Sequence, residues 1–189
     1  IGTEATSDLN KATMQEVGSA LPKYMGSITS SWRYKNFTLS VNAYYLGGNK
    51  VYSNNLRFVM NDGHEPYYNQ IVLPDDYSIW GKPGDIASNP SPQNSANSNL
   101  TSSRFLKDGS FFSVRNINLS YELPKHVIRY IKMEGVVISL SADNVYTFTG
   151  FLGQDPQTTI VSADYSTPGV SDFKYPNNRQ FMLNLNFRF

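Results

Sequence analysis

The sequence predicts an all-β fold, organised as a segment of a transmembrane antiparallel β-barrel. Apolar and polar residues alternate over five stretches of about 9 to 11 residues, the length that a tilted strand needs to cross a bilayer. Aromatic residues, 14% of the chain, gather near the ends of these stretches, as in the interfacial belts of membrane proteins. The connections alternate between short and very long, as do the periplasmic turns and extracellular loops of such barrels.

The first two predicted strands form a hairpin within residues 26–46, with a tight turn at residues 35–36. The apolar positions of this hairpin are Ile28, Trp32, Tyr34, Phe37, Leu39, Val41, Ala43 and Tyr45. A third strand is predicted over residues 111–123. Its alternation changes phase part-way along, which indicates a bulge near residues 115–116.

A short helix and two further strands follow. Pro124 suits a first helical position, and Val127, Ile128 and Ile131 fall on one face of a helix within residues 124–135. A fourth strand is expected from Val136 to about Tyr146. The fifth is residues 180–189, where apolar side chains occupy every second position up to the final Phe.

The long connections, residues 47–103 and 147–178, are rich in Asn, Ser, Pro, Gly and Tyr. Connections of this length are usually functional or disordered. By chain direction, both should lie at one end of the sheet and both short turns at the other, which favours a barrel with long extracellular loops and short periplasmic turns.

Alternation alone is also typical of a soluble carbohydrate-binding β-sandwich module, because a sandwich directs its apolar residues into a core and a barrel directs them to lipid. Strand length, aromatic placement and loop asymmetry favour the barrel. Five strands cannot close one, since the smallest outer-membrane barrels have about eight. The barrel interpretation therefore expects the earlier strands to lie outside the 189 residues.

Composition excludes several classes of function. Sixteen basic and fifteen acidic residues give a net charge of +1, so no nucleic-acid footprint is indicated. The absence of cysteine excludes thiolate metal sites and disulfides. The sequence contains no HExxH, G-x-S-x-G or phosphate-binding glycine loop, so neither an enzyme nor a cofactor is expected.

Four segments resemble a known family in the right order. The segments are PKYMGSITSSWRYKNFTLSVNAYYLGGNKVY (22–52), RFLKDGSFFSVRNINLSYELPKHV (104–127), SLSADNVYTFTGFLGQDPQ (139–157) and YPNNRQFMLNLNFRF (175–189). They are similar to the C-terminal barrel strands of SusC/RagA-type TonB-linked (TonB-dependent) outer-membrane transporters. The chain departs from the family pattern at Leu183, where Gly is frequent, and at Val114, where Arg or Leu is frequent.

The resemblance implies a barrel of 22 strands with an N-terminal plug. Residues 1–189 would form the last five strands, with the plug domain and the earlier strands absent from this chain. It further implies import of glycans or oligopeptides across the outer membrane of a Gram-negative bacterium. The partners would be outer-membrane lipid, a SusD-like surface lipoprotein over the channel, and TonB, which would act through the missing N-terminal region.

Candidate lumen-facing residues follow from strand parity, since they alternate with the apolar face: Arg33, Asn42, Asn118, Asn184, Asn186 and Arg188. These side chains could also simply satisfy one another and water. In the family a terminal aromatic serves as a signal for barrel assembly, and the resemblance assigns this role to Phe187 and Phe189.

Candidate contacts to substrate or to the lid protein lie in the first long loop: Tyr67, Tyr68, Tyr77 and Trp80. Such aromatics suit sugar rings, apolar peptide side chains or protein interfaces, although loop packing is the commonest role of a single Tyr. Asp75 and Asp76 are weak candidate metal ligands, because carboxylates in Gly/Pro-rich loops are mostly turn formers. No metal site is therefore assigned.

Overall fold

The computed structural model describes residues 12–62, 67, 72, 75, 77–92, 100–130, 132–153, 155–157, 160–161 and 166–189. The predicted residues Tyr68, Asp76 and Ile131 lie outside this part of the chain. Within it, the strands in chain order are β1 (Tyr24–Tyr34), β2 (Phe37–Gly47), β3 (Lys50–Ser53), β4 (Leu106–Asp108), β5 (Phe111–Glu122), β6 (Gly135–Thr149), β7 (Ile160–Val161), β8 (Ser166–Thr167), β9 (Val170–Ser171) and β10 (Gln180–Arg188). The helices are α1 (Asn54–Val59) and α2 (Lys125–Tyr130), with a 3-10 turn at Ser103–Phe105.

The main sheet is antiparallel and has the strand order β1-β2-β5-β6-β10. These are the five strands that the sequence predicts, and the first two pair as the predicted hairpin, so the all-β antiparallel fold class is confirmed. The turn at residues 35–36 and helix α2 lie at one end of the sheet. Both long connections leave from the other end, which is called the loop end below.

The two faces of the sheet differ sharply in chemistry. One face, the apolar face, carries matched apolar pairs across every strand junction, such as Trp32 with Leu39 and Leu119 with Leu140. Several of its large side chains remain exposed in mid-strand: Leu140 retains 54% of its accessible surface and Leu183 retains 65%. At these positions no described strand covers the face.

Two glycines of the apolar face lie under tyrosine rings of the neighbouring strand. Gly26 pairs with Tyr45, and Tyr24 pairs with Gly47. A methyl group added at Gly26 would come within 2.7 Å of the Tyr45 hydroxyl oxygen, and one at Gly47 within 2.5 Å of the Tyr24 ring. Each ring thus covers the backbone of a residue that has no side chain, a packing known to support strand glycines.

The predicted bulge is present, and it widens from strand to strand. One residue step on β2, from Asn42 to Ala43, faces two steps on β5, from Val114 to Asn116. Those two steps on β5 face three steps on β6, from Asp143 to Tyr146. Asn144 supplies the extra position with a left-handed φ of 52°, which Asn tolerates better than most residues. This insertion helps β6 to run three residues beyond its predicted end, to Thr149.

The short connections are tied to the sheet by hydrogen bonds. Lys35 adopts a φ of 52° in the two-residue turn. Asn36 bonds the backbone of Glu122 twice, because its Nδ2 donates to the Glu122 carbonyl at 2.8 Å and its own carbonyl accepts from the Glu122 N–H at 2.9 Å. The predicted short helix is α2, and Ile128 is its buried residue.

The long connections contain more regular structure than their composition indicates. Strand β3 pairs antiparallel with β4 and parallel with β9, which forms a second, three-stranded sheet at the loop end. Leu56, Met60 and Phe105 form a small core beside it, with Tyr52, Val59 and Tyr77 packed around them. This second sheet and its core are called the loop subdomain below.

Both helices are only six residues long. Ser53 caps the N-terminus of α1, since its Oγ accepts a hydrogen bond from the Leu56 N–H at 3.2 Å. Across the described residues, no helix has the length and hydrophobicity needed to cross a membrane.

Candidate functional site: the polar face and its loop-end cavity

The face opposite the apolar face, called the polar face, is crossed by hydrogen bonds between side chains of paired residues. Ser31 and Ser40 lie 3.1 Å apart at their Oγ atoms, and Asn42 Nδ2 donates to Thr29 Oγ1 at 2.8 Å. Further pairs repeat the pattern across the later strands: Asn116 with Asp143, Ser120 with Ser139, and Ser113 with Thr147. These bonds satisfy polar groups that all lie on one side of the sheet.

The six predicted lumen-facing residues all lie on this polar face by register: Arg33, Asn42, Asn118, Asn184, Asn186 and Arg188. Three of them have partners on neighbouring side chains. Arg33 pairs with Glu122 at 3.3 Å, Asn42 donates to Thr29, and Asn118 accepts from Ser120 Oγ at 2.8 Å. The three residues on β10 are exposed at the edge of the sheet.

A cavity of about 300 Å³ opens at the loop end of the polar face. The sheet contributes one wall through Tyr44, Leu46, Phe111 and Arg115. The loops contribute the others through Ala20, Leu21, Pro22, Asn49, Val51, Pro156, Gln157, Pro168 and Gly169. The loop walls are bonded to β3, because the Lys50 N–H donates to the Ser19 carbonyl at 2.8 Å and the Tyr52 N–H to the Gly169 carbonyl at 2.7 Å.

Arg115 is the charged residue of this cavity. It is the residue inserted by the bulge on β5, and its guanidinium carbon lies 4.3 Å from the centre of the Tyr44 ring. Tyr44 is itself held in place, since its hydroxyl contacts Met25 Sδ at 3.7 Å and its ring lies 5.9 Å from the Phe111 ring. The arrangement is a cation–π pair on a fixed aromatic platform.

Gln157 is positioned beside Arg115 by a short chain of polar contacts. Its N–H donates to Asp155 Oδ1 at 2.9 Å, and its Nε2 donates to Thr147 Oγ1 at 3.3 Å. Its Oε1 lies 3.5 Å from Arg115 Nη2, at the outer limit of a hydrogen bond. Arg115 therefore faces a neutral side chain at long range.

The predicted loop aromatics take up different positions. Tyr77 packs against the core of the loop subdomain, and this packing explains why a tyrosine occupies the position. Trp80 is half-buried, and its backbone N–H donates to the Asn89 carbonyl at 2.9 Å. Tyr67 is 97% exposed. Of these three, Tyr67 alone has the exposure expected of a residue that contacts substrate or another protein.

Asp75 is exposed, and Asp76 lies outside the described residues. In the part of the chain that the structure describes, no three His, Cys, Asp or Glu side chains come close enough together to hold a metal ion.

Comparison with known proteins identifies relatives but no matching family model. TonB-dependent receptor P39 of Formosa agariphila is 25% identical over 179 residues, which cover 92% of this chain and 17% of that protein. TonB-dependent receptor P3 of the same organism is 22% identical over 190 residues, covering 98% of this chain and 18% of that protein. The resemblance to SusC/RagA-type TonB-dependent transporters is confirmed.

Solved structures agree in fold. The RagAB peptide importer in its open-open state superposes with a TM-score of 0.78 at 21% identity, over 100% of this chain and 19% of that chain. Its closed-closed state gives a TM-score of 0.77 over the same shares. The chain thus spans less than a fifth of the length of these relatives. The relatives are named as receptors and an importer, and none of these names denotes an enzyme.

In this transporter-like segment, sequence reasoning missed a buried ion pair that fastens the loop subdomain. Arg104 contacts both carboxylate oxygens of Asp62, at 2.5 and 2.9 Å, and its Nη2 also donates to Asn89 Oδ1 at 2.5 Å. The side chains of Arg104 and Asp62 keep only 20% and 7% of their surface. Arg104 is the first residue of the family-like segment at residues 104–127. Its membership of that segment was the sequence signal that could have marked it as important.

The Asp108-Gly109-Ser110 portion of the same segment forms the turn between β4 and β5. The Ser110 N–H donates to Asp108 Oδ1 at 2.8 Å, and Ser110 Oγ accepts from the Gly48 N–H at 3.1 Å. Hydrogen bonds from the Ser110 side chain and backbone lower the pKa of Asp108, with a smaller contribution from Lys50. Burial, assisted by the charge of Arg104, lowers the pKa of Lys107 in the preceding strand. Turn hydrogen bonds and packing therefore explain this portion of the family-like segment.

Proposed function

We propose that the chain is the C-terminal barrel segment of an outer-membrane importer in a Gram-negative bacterium. The uncovered apolar face carries this proposal. Five paired strands expose apolar side chains on one side and a hydrogen-bonded polar surface on the other. Lipid is the environment that favours exposed Leu, Phe and Trp over a full strand length, while the polar face suits a water-filled lumen.

The sandwich alternative requires a second sheet packed about 10 Å from the apolar face. Among the described strands, the additional sheets are the three-stranded one of the loop subdomain and a two-stranded pair of β7 and β8, and large side chains of the apolar face such as Leu140 and Leu183 remain exposed. The observed fold therefore counts against a carbohydrate-binding sandwich module.

In the proposed importer, energy comes through TonB and a SusD-like lipoprotein covers the loop end. The substrates are oligomeric nutrients, either glycans or oligopeptides. Support for the lid partner comes from the similarity to the RagAB importer, whose name joins two components. Support for TonB comes from the relatives named as TonB-dependent receptors. In this proposal Arg33, Asn42, Asn118, Asn184, Asn186 and Arg188 line the lumen or meet the plug.

The proposal is tested with the complete protein encoded with its upstream sequence. We expect deletion of its gene to abolish uptake of the nutrient found by mass spectrometry in the purified complex, and collapse of the proton gradient to have the same effect. We also expect a surface lipoprotein to copurify. A monomer of residues 1–189 that remains soluble without detergent and melts cooperatively would contradict the proposal.

A further inference from the structure

The bulge on β5 gives Arg115 a position that ordinary alternation would not supply. A bulge inserts one residue, breaks the pairing locally and re-aims a side chain, and such bulges recur next to binding sites. Here the inserted residue is Arg115, the charged residue of the cavity lining. Its guanidinium carbon lies 4.3 Å from the centre of the Tyr44 ring, which holds it in position.

Arg115 lacks a carboxylate partner among the described residues. Its polar contact is Gln157 Oε1 at 3.5 Å, and Asp155 instead accepts from the Gln157 N–H and from Asn177 Nδ2. By contrast, Arg33 and Arg104 each pair with a carboxylate. A stacked guanidinium with a neutral neighbour retains donors for a bidentate bond to an incoming carboxylate.

The rest of the cavity is mostly apolar. Its apolar lining comprises Ala20, Leu21, Pro22, Leu46, Val51, Phe111, Pro156 and Pro168. A volume of about 300 Å³ lies at the lower end of small-ligand pockets, which run to roughly 1,000 Å³. Besides Arg115, the lining side chains that carry polar groups are Tyr44, Asn49 and Gln157. The Tyr44 hydroxyl already contacts Met25 and the Gln157 amide already bonds Thr147, while Asn49 Oδ1 is buried without a partner among the described residues, which is a small set for the many hydroxyls of a sugar.

We propose that this cavity binds the C-terminal end of an oligopeptide, with the terminal carboxylate on Arg115 and an apolar last side chain against Leu46 and Phe111. The last residue of a peptide can supply both groups, because its terminal carboxylate and its side chain are attached to the same α-carbon. A neutral glycan offers neither group. This inference rests on the proposed import function and narrows its substrate class.

The test uses the full-length transporter and two synthetic pentapeptides. Both end in Leu, and they differ only in whether the C-terminus is a free carboxylate or a carboxamide. We expect the carboxylate form to bind roughly ten to a hundred times more tightly, as a charge-assisted hydrogen bond gives. Arg115→Gln should remove that preference, while Arg115→Lys should keep part of it, because Lys retains the charge without the planar fork.

Arg179→Gln is the matched control. Arg179 also lies over a tyrosine, at 5.9 Å from the Tyr146 ring, but it does not line the cavity. Its substitution removes the same charge and should leave the carboxylate preference intact. The melting temperature of each variant, measured in detergent, checks that all are folded.

Equal affinity for the two peptides, no binding of either, or an unchanged preference in Arg115→Gln would each overturn the inference. Energised uptake of any nutrient is measured separately in cells. Normal energised uptake together with equal binding of the two peptides refutes the assignment of the cavity alone. Absence of energised uptake of any nutrient by cells that carry the wild-type transporter refutes the import function.

Discussion

The ion pair between Arg104 and Asp62 joins two residues 42 positions apart and fastens the loop subdomain. We expect Asp62→Asn to weaken it by about 2 kcal/mol. This is less than the roughly 3 to 5 kcal/mol of a broken buried pair, because Arg104 keeps its bond to Asn89 and some exposure. Asn also tolerates the φ of 52° at this position, so the change tests the charge. Hydrogen exchange of the α1 and β4 amides measures the loss.

The control for this prediction is the exposed pair of Arg33 and Glu122, whose side chains retain 69% and 55% of their surface. Glu122→Gln should change stability by about 1 kcal/mol or less, as surface pairs do. Equal effects of the two substitutions would show that burial does not set the strength of the Arg104 pair.

The carboxylate of Asp108 provides a pH-dependent contact at the loop end. Because its pKa is lowered in the folded protein, its stabilising effect is complete above the ordinary pKa of 3.8 and is lost as the pH falls through the folded value. We expect Ser110→Ala to raise the pKa of Asp108 toward 3.8, since the main cause of the shift is removed. A carbon-13 titration of the Asp108 carboxyl group measures it, and Ser113→Ala, which alters a serine bonded to Thr147 instead, should leave it unchanged.

Sequence reasoning at the residue scale succeeded where strand parity decides the answer. Asn42 and Asn118 lie on the polar face because side chains alternate along a strand. It could not distinguish Tyr77 from Tyr67, since one packs on a core and the other is exposed through contacts that no local pattern encodes. The partner of Arg104 was equally out of reach, because a separation of 42 residues leaves no periodic signal.

At the scale of the element, the hairpin of β1 and β2 depends on two glycines covered by tyrosine rings. We expect Gly26→Ala to destabilise the folded protein by about 1 to 3 kcal/mol, because the new methyl group would lie 2.7 to 2.9 Å from atoms of the Tyr45 side chain and would displace the ring from its packing on the strand. The melting temperature in detergent measures the change, and Tyr45→Ala in the same chain should relieve the clash.

Gly150→Ala is the corresponding control, as a methyl group there would meet nothing within 4 Å. If Gly26→Ala proved as harmless as Gly150→Ala, the ring would have to be free to move away from the strand.

Element boundaries were predicted well where the alternation is long and poorly where strands are short. β5 and its bulge were found because a change of phase is visible in twelve residues. β3, β4 and β9 contain four, three and two residues, so alternation has no room to show itself. Their pairing depends on contacts between separate loops, and composition alone indicated only long connections.

For the molecule as a whole, the orientation of the sheet can be tested with two adjacent residues of β5. Leu119→Arg places a charge at mid-strand on the apolar face, which costs about 2 to 4 kcal/mol in the middle of a bilayer. We expect it to reduce the amount of folded protein in the outer-membrane fraction. Asn118→Arg places the same charge on the polar face and should assemble normally; similar yields from both variants would contradict a lipid-facing apolar side.

The terminal aromatic residues belong to the same scale, because they concern assembly. We expect deletion of Phe189 to lower the yield of assembled protein more than it alters the affinity for substrate. Phe187 is retained in this variant, and β10 keeps all its residues because it ends at Arg188. Heat-modifiability in gels measures assembly, and Tyr175→Ala, which removes an aromatic side chain that is 94% exposed outside the strands, is the control. Unchanged assembly after the deletion would exclude a signalling role for this residue.

The parallel pairing of β3 with β9 links two loops that lie more than a hundred residues apart in sequence. Asn54 Nδ2 also donates to Asp172 Oδ1 at 3.0 Å, and the Phe58 and Phe173 rings lie 5.5 Å apart. If only the first long loop of a relative were grafted onto this chain, β9 would lose β3 as its pairing partner. The two loops therefore form one module for recombination, and a change of specificity by loop exchange has to transfer both together.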